Sequence, residues 1–127
     1  MGLSRPRPGT WAAIVALGLL IAVSVHPLCN FFFDCGCRPM GWGAADHCNV
    51  HEAHSPSCPW CTDDVLRLAW VGALILGGAA SGLFTGRRRS AMAQLGYGVV
   101  GYLAGASVAS LLAALLSGYP TWLGLAL

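Results

Sequence analysis

Apolar and polar positions along the chain separate into blocks rather than alternating. Residues 11–25, 65–84 and 93–116 are three nearly uncharged runs, and all six cysteines lie between the first and the second. The middle run has twenty residues, about the number a helix needs to cross roughly 30 Å of hydrocarbon. Thr62, Asp63 and Asp64 precede it as N-cap and first-turn residues. Asp63 and Arg67, four apart, can meet on one helix face, and Arg67 reads as a snorkelling anchor. Gly86 followed by Arg87, Arg88 and Arg89 stops the helix. The third run is long enough to cross with some tilt and leaves through Ser117-Gly118-Tyr119-Pro120.

The first run is short, with fifteen residues. As a span it must continue through Pro27 toward Phe31, Phe32 and Phe33, or sit in a locally thinned bilayer. A signal peptide competes with this reading: Arg5 and Arg7 precede the run, Ala22 and Ser24 are small, and cleavage would fall before Val25. The uncleaved helix is preferred. A lipid attached at Cys29 is disfavoured, because His26-Pro27-Leu28 lacks the small residues such a site requires.

The pattern therefore predicts an all-α integral membrane fold. It has three transmembrane helices, or two if the first is a cleaved signal peptide, and an irregular exported Cys/His-rich loop between the first and second. Residues 1–10 form a cytoplasmic leader, 11–27 the first helix, 28–63 the loop, 64–86 the second helix, 87–92 an Arg-rich turn, 93–117 the third helix and 118–127 an exported interfacial tail. Trp122 is expected in that tail at headgroup level.

Composition strengthens the membrane assignment. Of the 127 residues 56% are hydrophobic and 9% charged, where a soluble surface carries about a quarter. A net charge of +2 is too small to argue for nucleic acid. Arg5, Arg7 and the triple arginine lie two crossings apart, hence on one face, and the positive-inside rule makes that face cytoplasmic. The loop and the C-terminus then face outward. The absence of lysine, with many Ala, Gly and Arg residues, suggests a GC-rich bacterial genome and so a plasma membrane with a periplasmic loop.

Small residues recur at four-residue spacing: Gly78, Gly82 and Gly86 on the second helix, Gly101, Gly105 and Ala109 on the third. Such rows allow close backbone approach, either between these two helices or in self-association. No Asp, Glu, His, Lys or Arg lies at mid-helix, which counts against proton relays, ion pathways and secondary transport, since those need polar groups at depth.

The chemistry therefore sits in the loop. It is too short to build an apolar core, so cross-links or metal must order it. An exported loop with an even number of cysteines defaults to disulfides, with Cys29, Cys35 and Cys37 as a proximal structural group. The distal group has ligand spacing: Cys48 and His51, then Cys58 and Cys61, form two chelating pairs that suit zinc or copper, with His47 and His54 as further ligands. A third reading is thiol redox chemistry at Cys58 and Cys61, whose Cys-Pro-Trp-Cys motif immediately precedes a helix start. Asp63 and Asp64 would oppose a thiolate there, and a lone CxxC is weakly specific. There is no haem-attachment motif, no zinc-protease helix, no phosphate loop and no strand pattern.

No catalytic residue and no certain cofactor emerge. The expected function is an accessory or assembly subunit of a membrane complex, with a disulfide-stapled exported loop docking on a partner membrane protein. The alternatives are a zinc- or copper-binding membrane protein and a thiol oxidoreductase. The chain is too small and its helices too apolar for a stand-alone enzyme or carrier.

Overall fold

The computed structural model describes residues 8–43, 46–51, 56–61 and 64–127. Arg5, Arg7, Glu52, His54, Thr62 and Asp63 lie outside the described residues, so the Asp63–Arg67 pair does too. Three helices, α1 (Pro8–Phe33), α2 (Val65–Gly86) and α3 (Ala91–Ser117), are each long and apolar enough to cross a membrane.

Helix α1 settles how the short first run reaches spanning length. It starts at Pro8, where a missing N–H costs nothing, and runs through Pro27 to Phe33. The apolar continuation Leu28, Phe31, Phe32 and Phe33 carries it past the proline. Cys29 is thus a helix residue rather than a loop residue. Helix α2 begins where its acidic cap predicts. The Asp64 carboxylate accepts from the backbone N–H of Leu66 and Arg67, and Arg67 Nε lies 4.0 Å from Asp64 Oδ2. Beyond its far end the Arg87 guanidinium sits 3.9 Å from the centre of the Phe84 ring. Helix α3 starts at Ala91, with Ser90 Oγ capping Ala93 N at 3.3 Å.

Helices α2 and α3 pack as a tight hairpin, and the glycine rows explain how. A Cβ added at Gly78 would land on the Gly101 carbonyl, one at Gly101 on the Gly78 carbonyl, and one at Gly82 on the Tyr97 carbonyl. The rows are therefore occupied within the chain. Helix α1 lies against α3 and parallel to it. Gly9 is beside Ala91, Leu17 against Gly98, and Ser24 Oγ is 3.0 Å from the buried Tyr102 hydroxyl. Val15, Leu19, Leu76, Val100 and Leu116 are exposed, as suits side chains facing lipid.

The arginine turn lies at one end of the bundle. The C-termini of α1 and α3 and the start of α2 share the other. There the tail forms an antiparallel hairpin, β1 (Thr121–Trp122) with β2 (Leu125–Ala126), around a turn at Leu123 and Gly124, both with positive φ. It folds back onto the bundle: Leu123 N donates to the Phe32 carbonyl at 2.9 Å, and Trp122 Nε1 donates to Ser110 Oγ at 2.8 Å. The Trp122 ring stacks on Phe32 with centroids 6.2 Å apart. A carbonyl left open at a helix end and an indole N–H seeking an acceptor hold Trp122 against the bundle. No period-2 run exists in so short a segment, so its strands were illegible in the hydropathy.

Candidate metal centre

Asn30 organises the exit from α1. Asp34 adopts φ 49° with its N–H on the Asn30 carbonyl at 2.7 Å, and Gly36 N donates to Asn30 Oδ1 at 2.7 Å. Gly36 has φ 83°, and a Cβ there would stand 2.5 Å from the His47 carbonyl oxygen, so glycine is required. This reversal turns Cys35 and Cys37 back toward Cys29.

The second half of the loop is brought in by Asn49. Its N–H donates to the Cys35 carbonyl at 2.9 Å, and its Oδ1 accepts from Cys58 N at 3.0 Å. Its Nδ2 donates to the Tyr119 hydroxyl at 2.8 Å, and that hydroxyl donates to the Phe33 carbonyl at 3.1 Å. One asparagine therefore ties both halves of the loop to the ends of α1 and α3. The Cys58–Cys61 turn is closed by Cys61 N on the Cys58 carbonyl at 3.2 Å.

All six cysteines converge as a result. Cys29 Sγ lies 3.2 Å from Cys58, 3.4 Å from Cys35, 3.8 Å from Cys61 and 4.0 Å from Cys37. Cys37 is 3.4 Å from Cys35 and 3.3 Å from Cys61. No disulfide joins them, and these separations are van der Waals contacts rather than the roughly 2.05 Å of an S–S bond. Cys48 completes the group, within 4.8 Å of Cys35 and Cys37 on one side and of Cys58 and Cys61 on the other. Five of the six are at most 4% exposed, and Cys61 is half-buried. Phe32, Phe33, Trp60 and Tyr119 wall the cluster, with Phe33 and Trp60 centroids 5.9 Å apart and Phe33 and Tyr119 5.4 Å apart.

The geometry groups these residues differently from their spacing. Cys29, Cys35 and Cys37 share one cluster with Cys48, Cys58 and Cys61 instead of forming a separate structural set. Among the described residues, the groups able to hold a metal contain cysteines only. His51 and His47 are exposed and belong to none of them, and His54 lies outside the described residues. Cys58 lies 3.2 Å from Cys29 and Cys61 3.3 Å from Cys37, so the CxxC motif is part of a larger thiol assembly. Asn30 and Asn49 carry the site's scaffold with no sequence signal beyond adjacency to Cys29 and Cys48, and Tyr119 with none at all.

Protons are shared unevenly within the cluster: Cys35, Cys37 and Cys58 are pushed toward the thiolate, whereas Cys61 is pushed toward the thiol, because the lowering contact with Cys29 is outweighed by those with Cys35, Cys37 and Cys58. Contact with the Cys29 thiol, and then with Cys37, holds the Cys35 thiol well below its usual range. Contact with Cys29 is also the largest influence lowering Cys37 and Cys58. The thiolate is the form that binds metal. Burial raises the Tyr119 phenol, keeping it a neutral donor to the Phe33 carbonyl. Beside the cluster, a cavity of about 190 Å³ opens between α1 and α2, lined by Val25, His26, Cys29, Trp60, Cys61 and Val71. His26 Nδ1 is buried with no hydrogen-bond partner among the described residues.

Comparison with family models, with curated proteins and with solved structures gives no match, so the functional reading rests on this geometry.

Proposed function

We propose that the chain is a membrane-anchored protein that binds thiophilic metal ions through the six-cysteine cap of its helix bundle. The observation that carries this reading is the convergence of all six sulfurs from a helix end and three separate loop segments, five of them at contact distances and Cys48 within 4.8 Å of four of the others, in a largely buried site. Soft thiolates select copper(I), zinc and related ions over hard cations. The uncharged bundle argues for holding an ion at one membrane face rather than moving it across. With the arginine turn cytoplasmic, the cap faces the exported side of a bacterial plasma membrane, where it serves as an accessory metal-holding unit for a partner complex.

A second reading, the disulfide-stapled accessory subunit, has its own supporting observation. Cys29 with Cys58 (3.2 Å), Cys37 with Cys61 (3.3 Å) and Cys35 with Cys48 (within 4.8 Å) are three disjoint pairs that use every cysteine. Metal analysis and thiol counting on protein purified without chelator distinguish the two. Bound metal with thiols that become reactive only after its removal is expected. Six oxidised cysteines and no metal, in protein that still binds none after reduction, would overturn the metal reading.

A further inference from the structure

The cysteines form four triads, Cys29/Cys35/Cys58, Cys29/Cys37/Cys61, Cys35/Cys37/Cys48 and Cys48/Cys58/Cys61, each with its sulfurs mutually within 4.8 Å. Every cysteine belongs to two triads, and any two triads share one cysteine. That is the connectivity of an octahedron of sulfurs with an ion over each of four alternate faces. Resting on the thiophilic-metal reading above, we propose that the cap holds a tetranuclear copper(I)–thiolate cage, in which four copper ions are each bound by three sulfurs and six cysteine sulfurs each bridge two ions.

Size and coordination both favour this occupant. A trigonal ion with metal–sulfur bonds of about 2.3 Å needs its sulfurs about 4.0 Å apart, the bond length multiplied by √3. The contacts around Cys29 and Cys37, at 3.2–4.0 Å, reach that spacing by opening by at most about 0.8 Å. Zinc takes four ligands tetrahedrally, whereas the ligand groups among the described residues are triads. An iron–sulfur cluster inserts inorganic sulfide between its irons and holds cysteine sulfurs farther apart than these contacts. Copper(I) is soft, accepts three thiolates and carries one charge. Loading balances as four Cu⁺ and six thiols giving a cage of charge −2 and six protons, with no change in oxidation state. The surrounding Phe32, Phe33, Trp60 and Tyr119 exclude water, and His26 Nδ1, in the cavity beside Cys29 and Cys61, offers an entering ion its first ligand.

The test uses the reduced full chain in lipid nanodiscs, titrated anaerobically with copper(I) supplied as its acetonitrile complex. Saturation is expected at four ions per chain, cooperatively and with release of the protons that the thiols still carry. Luminescence of a water-shielded copper(I)–thiolate cluster should grow in step, and X-ray absorption should show three sulfurs per copper plus a short copper–copper vector. Cys48→Ser, which opens two triads, should halve the stoichiometry and abolish the luminescence. His26→Ala should slow loading while leaving four ions bound. Saturation at one ion, or ions without copper–copper neighbours, would overturn the cage while leaving the thiophilic reading intact. Failure of the reduced protein to bind any copper or zinc would overturn both. The wild-type titration decides alone if a variant does not fold.

Discussion

Replacing Asn49 by alanine should open the cap without disturbing the bundle. The substitution removes the acceptor for the backbone N–H of Cys58, a fully buried residue, and the donor to the Tyr119 hydroxyl. An ordinary hydrogen bond contributes about 0.5–1.5 kcal/mol net, whereas leaving a buried donor unsatisfied costs about 1–3 kcal/mol. The Tyr119 hydroxyl keeps the Phe33 carbonyl as a partner, so its share stays at the low end. Together the loss should be about 2–3 kcal/mol of loop closure, and at 1.4 kcal/mol per factor of ten the open population rises about 30- to 150-fold. In reduced, metal-free protein held in nanodiscs, alkylation of the buried cysteines proceeds from that open population, so its rate should rise by the same factor. Helical content measured by circular dichroism should stay constant. Alkylation within about twofold of wild type would refute the assignment of Asn49 as the clasp, because the estimate rests on the unsatisfied Cys58 N–H. Tyr119→Phe should give a smaller increase, and the double variant should fall short of the product of the two, since both act on one hydrogen-bond chain.

The glycine rows supply an internally controlled stability test. Gly82→Leu should abolish the α2–α3 hairpin, seen as loss of the thermal transition, because even its Cβ meets the Tyr97 carbonyl. Gly77→Ala, with open space around it, should be neutral or stabilising by up to about 1 kcal/mol. For Tyr119 the sign of the pH dependence is set by its raised pKa. A folded-state phenol held above the unfolded value of about 10 gives stability that is fully present below that value and lost as pH rises through the folded pKa. Alkaline titration should therefore detach the cap late and in step with tyrosinate absorbance, a step absent from Tyr119→Phe. Stripping metal from loaded protein should accelerate hydrogen exchange in residues 34–43, 46–51 and 56–61 while sparing α2 and α3. Neutralising Arg87, Arg88 and Arg89 to glutamine should produce mixed orientation, read as cysteine labelling by an impermeant maleimide from both membrane faces.

The three spans, the Asp64 cap and the close helix hairpin were legible because each depends on local pattern: apolar run length, an acidic residue before it, and small residues every four positions. The extension of α1 through Pro27 was only half legible, since a proline inside an apolar run is compatible with stopping or continuing. The contents of the loop were visible and its grouping was not. Spacing along the chain paired Cys48 with His51 and set Cys29, Cys35 and Cys37 apart. Yet Cys29 points from a helix end at Cys58, twenty-nine positions away, and His51 faces solvent.

Three apolar helices long enough to cross a membrane, and six cysteines between the first two, are legible along the chain because hydrophobic segregation and residue type are local properties. That those cysteines gather into a single cluster is a property of the tertiary structure alone. That outcome depends on a left-handed turn at Asp34 and Gly36, on the bonds of Asn49, and on the end of α3 delivering Tyr119 beneath them. These contacts join segments far apart in sequence, and no local period records which of them will meet.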